Sequence, residues 1–261
     1  MQAPLTIFTV PKPFAGHIGV IQRNAVGSWV RLVDEVILFE DEEGTADAAS
    51  EFGTRHVTEV ACTRFGTPLL NDVFSKAEQL CRTPWLVYAN CDIIFREDFA
   101  DAVSLLPDRP CLLTGGRWEL DITVPIDFHV PNWAEVLGDQ VRNAEIKPRG
   151  GWYDYFVFQP GTLGEIPPFA VGRPRWDHWL LGHALHRGAW VVDSSLSAIV
   201  IHQGHDYSHV PNGTGDLWEG PEADENQRIV GDQYRGYSLG NCATHRIKNG
   251  ELVPCRPRPA L

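Results

Sequence analysis

The sequence predicts an α/β protein whose mostly parallel sheet is flanked by helices. Short apolar segments rich in β-forming residues alternate with longer segments in which apolar residues recur at helical spacing. This alternation is typical of βαβ units, which build parallel sheets. The 261 residues suffice for one large α/β domain or two small ones, and neither an internal repeat nor a clear linker divides them. We therefore predict one domain over residues 1–210, with a loop-rich C-terminal extension, residues 211–261, packed on it.

The first ninety residues predict four strands and three helices. The predicted strands are the compact β-rich segments Leu5–Val10, Glu35–Phe39, His56–Val60 and Trp85–Ala89. The predicted helices follow the first three strands and cover residues 18–32, Thr45–Phe52 and Asn71–Arg82. Asn71 is the predicted N-cap of the third helix, because its side chain can accept a hydrogen bond from a free N–H group of the first turn.

The second half of the chain continues the alternation and then becomes rich in loops. The predicted elements are a helix at Glu97–Leu106, a strand at Cys111–Thr114, an irregular excursion at Asp121–Val130, a helix near Trp133–Asn143, a strand at Tyr153–Phe158, a helix at Trp176–His186, and strands at Trp190–Asp193 and Ala198–His202. From Gln203 onward Gly, Pro, Asn and His are frequent. There we predict loops, a helix near Glu222–Val230, and a hairpin at Thr244–Val253 that turns at Asn249-Gly250.

The composition is that of an ordinary globular protein and disfavours some partners. Apolar residues make up 43% of the chain, charged residues make up 21%, and the formal net charge is −12. This acidic balance disfavours a broad nucleic-acid-binding surface and binding to anionic membranes. No apolar stretch reaches the length of a transmembrane helix. The six cysteines form no CxxC pair and the N-terminus shows no signal-length apolar segment, so we expect a cytoplasmic location.

The most informative stretch runs from Leu86 to Phe95. A β-rich apolar run stops at Asn90-Cys91-Asp92, and apolar residues then resume as a short second strand. A carboxylate at that place lies at the carboxyl end of the sheet, where α/β folds bind nucleotides. With oxygen or imidazole partners, it could hold a hard divalent ion against a diphosphate. The alternative is a simple turn, because Asn and Asp are common in turns.

Six segments in this order and spacing resemble the GT-A-fold glycosyltransferases, near the family 2-like nucleotide-sugar transferases. They are Thr6–Phe14, Gly66–Phe74, Tyr88–Phe95, Asp154–Phe158, Gly172–Leu181 and Ile201–His209, and together they span most of residues 5–210. The resemblance implies a GT-A-type, Rossmann-like sheet. It also implies a nucleotide-sugar donor and a divalent cation, Mn²⁺ or Mg²⁺, as cofactor.

The resemblance assigns a metal site in which one acid is missing. Asn90-Cys91-Asp92 stands where these enzymes carry a D-x-D motif, so Asp92 is left as the main carboxylate ligand. Related enzymes often complete the metal shell with a histidine after the last core strand, a place that His202 and His205 fit. Neutral imidazole suits Mn²⁺. The alternative for His202 is that it only ends a strand and bonds to backbone.

The resemblance also assigns the donor-binding residues. Thr9, Val10 and Pro11 stand where the loop after the first strand holds the base and ribose through backbone contacts. Glu40 or Asp41, at the end of the second strand, could accept a hydrogen bond from the base or ribose, although this acidic run also suits a solvated turn. Lys76 could reach a ribose or phosphate, or form an exposed salt bridge. The Asn90 amide oxygen could bind the donor ribose or sugar.

Asp177 is the candidate catalytic residue. It follows a Gly-Arg-Pro turn and opens an apolar helix, where inverting GT-A enzymes carry the acid that deprotonates the acceptor hydroxyl. The alternative is a helix-capping or first-turn acid. Asp154, Arg173 and Trp176 are the candidates for contacts with the donor sugar or acceptor.

These residues predict a glycosyltransferase, of the hexosyl- or pentosyltransferase type, that moves a sugar from a UDP-linked donor to a hydroxyl acceptor with metal assistance and inversion. A catalytically silent GT-A-like binding module is the first alternative, favoured by Asn90 in place of an acid. A nucleotidyltransferase is the second. Such enzymes usually begin with a Gly-rich phosphate loop bearing Arg or Lys, which Pro11–Gly16 matches poorly.

Overall fold

The protein is described by a computed structural model that covers residues 4–143, 151–205 and 218–255. In chain order the strands in these ranges are β1 (Leu5–Thr9), β2 (Glu35–Phe39), β3 (Arg55–Val57), β4 (Trp85–Ala89), β5 (Ile93–Ile94), β6 (Cys111–Thr114), β7 (Trp118–Leu120), β8 (Tyr155–Phe158), β9 (Trp190–Asp193), β10 (Ile201–Gln203), β11 (His245–Lys248) and β12 (Glu251–Pro254). The helices are α1 (Gly16–Trp29), α2 (Thr45–Phe52), α3 (Leu70–Leu80), α4 (Glu97–Ser104), α5 (Trp133–Asn143), α6 (Trp176–His186), α7 (Pro221–Val230) and α8 (Leu239–Cys242), with a 3₁₀ turn at Asp232–Tyr234.

The described strands form a central sheet of nine strands and a small sheet of three. The order in the central sheet is β12-β11-β9-β6-β8-β4-β1-β2-β3. Neighbouring strands are parallel except at β8, which is antiparallel to both β4 and β6, and at the β11–β12 hairpin. The small sheet has the order β5-β10-β7. Its middle strand, β10, is antiparallel to β5 and parallel to β7. The mostly parallel sheet confirms the predicted fold class.

The central sheet is buried on both faces, because successive side chains of its strands enter two different cores. Leu5 and Ile7 of β1 pack in one core with residues of α1, α2 and α4. Phe8 packs in the other core with residues of α3, α6 and α7. Strands covered on both faces read as continuous apolar runs, which is why their positions are visible in the sequence.

Most predicted elements are confirmed. The observed bounds equal the predicted ones at β2, β4, β6, β9, α2, α5 and α6, and the C-terminal hairpin turns at Asn249, which adopts a positive φ of 54°. The β11 strand pairs with β9, so this hairpin extends the central sheet. Among the described residues, none of the helices combines the length and apolar character needed to cross a membrane. The predicted boundary at residue 210 lies outside the described residues, and the division into domain and extension stays a prediction.

Two local predictions are wrong, and one strand was missed. Asn71 is not the N-cap of α3. The helix begins at Leu70, whose N–H group donates to the Phe169 carbonyl (2.9 Å), and no side chain caps it. Strand β7 was not predicted, because three residues that pair with a strand 83 positions later carry no local pattern. Strand β10 begins at Ile201 rather than Ala198, because Ala198 closes a turn on the Ser194 carbonyl (3.0 Å).

We expect Phe8→Ala to destabilise the fold strongly. Phe8 is fully buried, and its ring makes edge-to-face contacts with four aromatic side chains, those of Phe39, Phe74, Tyr88 and Phe158, at centroid distances of 5.0–6.3 Å. Removing a buried phenyl ring typically costs about 3–5 kcal/mol. Urea denaturation would measure the loss. Leu196→Ala, at a site 66% exposed, is the control and should change the free energy of unfolding by at most about 0.5 kcal/mol. Equal stability of the two variants would contradict this account of the core.

Candidate active site

A cavity in the described part of the chain lies where the strand order of the central sheet reverses. Strand β1 lies between β2 and β4, so the loops after β1 and β4 leave the same edge of the sheet. Open α/β sheets bind ligands in such a crevice. The cavity has a volume of about 790 Å³, which suits a ligand of nucleotide-sugar size. The predicted site residues that line it are Val10, Pro11, Glu40, Asn90, Asp92, Asp154, Arg173, Trp176, Asp177, His202 and His205.

Asp92, His202 and His205 form a cluster that could hold a metal ion. One potential ligand atom of each residue lies within 4.8 Å of the others. The Asp92 Oδ2 atom is 3.6 Å from His202 Nε2 and 3.3 Å from His205 Nε2. The other carboxylate oxygen, Oδ1, is buried and has no hydrogen-bond partner. An orphaned buried carboxylate oxygen beside two imidazoles is a donor set that suits a divalent cation such as Mn²⁺.

The small sheet places His202 in this cluster. In β10, His202 lies opposite Ile93 of β5, one residue beyond Asp92, and opposite Glu119 of β7. The neighbouring Gln203 is fully buried and donates from Nε2 to the Asp92 carbonyl (3.2 Å) and to the Ile21 carbonyl (2.7 Å). These bonds fix the strand that carries His202 against the loop that carries Asp92.

A carboxylate outside the cluster orients His202. His202 Nδ1 lies 2.9 Å from Glu119 Oε2, and an ionised carboxylate can only accept, so Nδ1 carries a proton and donates it. With Nδ1 engaged in this way, Nε2 is the ring nitrogen left to face Asp92. Carboxylates in this relation to a histidine hold the ring for metal binding in many proteins. Glu119 also forms an ion pair with Arg117, at 3.0 Å.

Asn90 is engaged with protein groups. Its side-chain Nδ2 donates to Asp154 Oδ1 (2.7 Å), and its backbone N–H donates to the Asp154 carbonyl (2.8 Å). The second oxygen of Asp154 accepts from Arg117 Nη1 (2.6 Å). Asp154 therefore lies inside the cavity wall as the acceptor for both an amide and a guanidinium. The predicted role of the Asn90 amide oxygen toward the donor stays a prediction.

Burial and neighbouring charges shift the pKa values of the cavity acids in opposite directions. Burial tends to raise the pKa of Asp92, but His202, His205 and Lys12 outweigh it and hold that pKa well below its usual range. Burial raises the pKa of Asp154, with Arg117 opposing the shift only in part. Burial also raises the pKa of Asp177, against the effect of the neighbouring His178.

Asp177 lies in the first turn of α6, on the cavity wall. The residue at the N-cap position is Arg175, which has a positive φ of 81° and no side-chain capping bond, so Asp177 does not cap the helix. The ring of the preceding Trp176 is buried edge-to-face against Tyr88, at a centroid distance of 5.2 Å, which fixes the start of the helix. Asp177 is thus an acid of the first helical turn that lines the cavity, and it is not the N-cap.

Arg173 is paired with a residue of the C-terminal helix. Its Nη2 and Nε atoms both donate to Glu222 Oε2, at 2.7 and 3.1 Å. The same carboxylate accepts from the hydroxyl groups of Thr67 (2.9 Å) and Thr63. Glu222 therefore ties α7 to two loops of the cavity, the one that contains Thr63 and Thr67 and the one that contains Arg173. The charge of Arg173 is matched within the protein.

Three predicted donor-binding residues do not line the cavity. Thr9 is fully buried under it. The Asp41 side chain is 68% exposed and lies 3.8 Å from His56. Lys76 donates to the Glu59 carbonyl (2.6 Å) and to Asp72 (2.8 Å), which is the salt-bridge alternative. Asp206 and His209, which the sequence groups with the two histidines, lie outside the described residues.

Four cavity or supporting residues were not predicted: Lys12, Arg117, Glu119 and Glu222. Glu119 lies on β7, a strand too short to be read from the sequence, and Arg117 directly precedes that strand. Glu222 meets Arg173 across 49 residues, so no local signal joins them. Lys12 had a visible signal, since it follows directly on Val10 and Pro11 in the loop after β1.

No family model matches the chain, and neither does any curated protein. Solved structures do match. TarS 1–349 of S. aureus in complex with UDP-GlcNAc has a TM-score of 0.52 at 10% identity, over 88% of this chain and 66% of TarS 1–349. The mannosyltransferase PcManGT of Pyrobaculum calidifontis, in complex with GDP-Man and Mn²⁺, has a TM-score of 0.47 at 12% identity, over 77% and 57%.

A third structure is the glucosyl-3-phosphoglycerate synthase of Mycobacterium tuberculosis with Mn²⁺, UDP and glucosyl-3-phosphoglycerate. Its TM-score is 0.48 at 15% identity, over 79% of this chain and 74% of the synthase. The chain spans 60% of TarS 1–349 in a further crystal structure of that protein. At these identities the likeness to TarS shows the fold alone, and it confirms the GT-A-type fold that the sequence predicts.

We expect the metal-free protein to lose stability as the pH rises from about 6.5 to about 9. Burial tends to lower the pKa of His202, but Asp92 and Glu119 overcome it and raise the pKa to about 9. A histidine with a raised pKa stabilises the fold fully below its unfolded pKa, and this contribution is lost as the pH rises through the folded pKa. The contribution of His202 to the change of unfolding free energy with pH is at most about 1.4 kcal/mol per pH unit.

Urea denaturation in EDTA across this pH range would measure the effect in wild type and in His202→Gln. The difference in unfolding free energy between the two proteins should shrink as the pH rises. His129→Gln, at an exposed position, is the control and should keep the wild-type slope. A difference that stays constant with pH would show that His202 is neutral in the metal-free fold.

Proposed function

We propose that the protein is a glycosyltransferase that moves a sugar from a nucleotide-sugar donor, UDP-linked, to a hydroxyl acceptor. One observation carries the proposal: a single cavity at the switch point of the sheet holds both the Asp92–His202–His205 cluster and Asp177. A transfer of this kind needs a site that neutralises a diphosphate and a separate base for the acceptor. TarS, which shares the fold, was crystallised with UDP-GlcNAc, and this fits a sugar-nucleotide donor.

The donor is assigned to the crevice between the loops after β1 and β4. Val10 and Pro11 line the cavity on the β1 side, and Glu40 lines it at the end of β2. Burial and the neighbouring Glu42 raise the pKa of Glu40, and its backbone adopts a positive φ of 79°. Such strain is common at ligand-binding positions. In this proposal Glu40, rather than the exposed Asp41, accepts a hydrogen bond from the base or ribose.

Asp92, His202 and His205 would hold the divalent cation, Mn²⁺ or Mg²⁺. The Nε2 atoms of both imidazoles lie within 3.6 Å of Asp92 Oδ2, and Glu119 accepts from Nδ1 of the His202 ring. When bound, such a cation supplies positive charge to a diphosphate leaving group. Glu119 and Gln203, both in the small sheet, fix the positions of His202 and of the Asp92 loop.

Asp177 is assigned the role of general base in an inverting transfer. Its carboxylate would take the proton of the acceptor hydroxyl as that oxygen attacks the anomeric carbon. Burial raises the pKa of Asp177, which makes its carboxylate a stronger base. Trp176, at the same helix start, lines the cavity beside it and could contact the sugar or acceptor.

A catalytically silent binding module is the second candidate. It is favoured by Asn90, which gives the motif one acid fewer and is bonded to Asp154. Calorimetry with UDP, GDP, CMP and TDP, each with Mn²⁺, tests both candidates, because either one requires binding of a nucleotide in the micromolar range. Mass spectrometry of sugar-nucleotide turnover, including hydrolysis without an acceptor, then separates them. No binding to any of the four nucleotides would exclude both.

We expect Asp92→Ala to remove the Mn²⁺-dependent part of donor binding. The variant loses the carboxylate of the cluster, and the two remaining imidazoles alone make a weak site for a hard cation. Calorimetry with UDP, in Mn²⁺ and in EDTA, would show an affinity that no longer depends on the ion. Asp139→Ala, on the exposed face of α5, is the control and should keep the wild-type response. A Mn²⁺ response that survives Asp92→Ala would place the metal elsewhere.

We expect Asp177→Asn to lower kcat by about 10²–10⁴-fold, the scale of a missing general base. The side chain keeps its size, so the donor Kd should change little. Steady-state kinetics and calorimetry measure the two quantities, and Asp139→Asn is the matched control. NMR of the product reports the anomeric configuration. Near-native turnover of Asp177→Asn, or a retained configuration, would show that Asp177 is not the base of an inverting transfer.

A further inference from the structure

Lys12 is a cavity cation that the functional assignment so far leaves unused. It follows β1 in the loop Val10-Pro11-Lys12-Pro13 and lines the cavity together with Asp92. Among the described residues, its ammonium group has neither an ion pair nor a hydrogen bond. Three arginines also line the cavity, and two of them, Arg117 and Arg173, are paired with carboxylates, whereas Arg175 lies at the start of α6. Lys12 therefore brings an unmatched positive charge into the crevice.

The backbone of Lys12 is held rigidly. The side-chain amide of Gln22, which is 2% exposed, accepts from the Lys12 N–H (2.7 Å) and donates to the Lys12 carbonyl (2.7 Å). Pro11 and Pro13 restrict the loop on either side. Because both backbone polar groups of Lys12 are bonded, the loop is ordered before a ligand binds, and its side chain starts from a fixed position at the cavity.

The surroundings of Lys12 favour an anionic ligand. Burial lowers the pKa of Lys12, while the nearby Asp92 carboxylate opposes this effect. A half-buried cation with no direct partner is costly and gains most from a charge-assisted hydrogen bond. Asn90 acts in the same direction, because an amide at that position leaves the crevice less negative than a carboxylate would. Both features weaken the attraction for a metal ion and strengthen it for a diphosphate.

We propose that Lys12 binds the diphosphate of the nucleotide-sugar donor directly, so that donor binding persists without a divalent cation. This inference rests on the proposed function, since it concerns the same donor. The metal cluster at Asp92 and the ammonium of Lys12 then act as two separate sources of positive charge. The site depends less on the cation than a site with two motif carboxylates and no lysine.

The test compares Lys12→Met, Lys12→Arg and wild type by calorimetry in EDTA and in Mn²⁺. The probes are the nucleoside diphosphate that wild type binds most tightly and the corresponding nucleoside. In EDTA, Lys12→Met should weaken diphosphate binding about 10- to 100-fold, the scale of one charge-assisted hydrogen bond. Nucleoside binding should not change, and Lys12→Arg should retain part of the diphosphate affinity. Lys248→Met, on the exposed edge hairpin, is the control.

Two results would overturn the inference while leaving the proposed function intact. One is wild-type binding that requires Mn²⁺ altogether, and the other is wild-type diphosphate affinity of Lys12→Met in EDTA. An equal loss of nucleoside and diphosphate binding, with a lowered melting temperature, would also overturn it, because it would mark Lys12 as a residue that only supports the loop. Failure of wild type to bind any nucleoside diphosphate, with or without Mn²⁺, would instead remove the proposed function itself.

Discussion

The buried carboxylate of Asp92 is the constraint around which this end of the molecule is organised. A charge removed from water is costly unless other charges and hydrogen bonds compensate it. Here the compensation comes from His202, His205 and Lys12, which together hold the pKa of Asp92 low. His202 reaches this place only because β10 is inserted between β5 and β7, and the buried Gln203 locks that strand to the Asp92 loop. The small sheet thus brings a charge partner, His202, to the buried carboxylate of Asp92.

The charges around Asn90 account for an amide at the position where the D-x-D motif has its first acid. From the cluster a chain of alternating charge runs outward, from His202 to Glu119, then to Arg117 and on to Asp154. Asn90 meets the free oxygen of Asp154, at 2.7 Å. A carboxylate at position 90 would face a second carboxylate at that distance, whereas an amide can donate to it. The amide is therefore the residue type that fits its neighbour.

The sequence is most informative where structure is local. The buried parallel strands read as apolar runs, and the resemblance of six segments to the GT-A enzymes led to Asp92, Asp177, His202 and His205, which line one cavity. Contacts between distant segments were beyond reach: Glu119 meets His202 across 83 residues, and Glu222 meets Arg173 across 49. Asn71 failed as an N-cap for a related reason, since a tertiary bond to Phe169 decides where α3 begins.

The two acids proposed for the transfer, Asp92 and Asp177, lie in different electrostatic environments. Asp92 has cationic neighbours that keep it ionised, which suits a ligand of a cation. Burial raises the pKa of Asp177, the Asp154 carboxylate adds to the effect, and the neighbouring His178 opposes it. Pairs of carboxylates whose surroundings push their pKa values apart often divide ligand and proton-transfer roles in this way. Both oxygens of Asp154 accept hydrogen bonds, one from Asn90 and one from Arg117, so Asp154 is not assigned as a base. Cationic neighbours outweigh burial only at Asp92, whereas burial outweighs Arg117 at Asp154 and His178 at Asp177 and raises both of those pKa values.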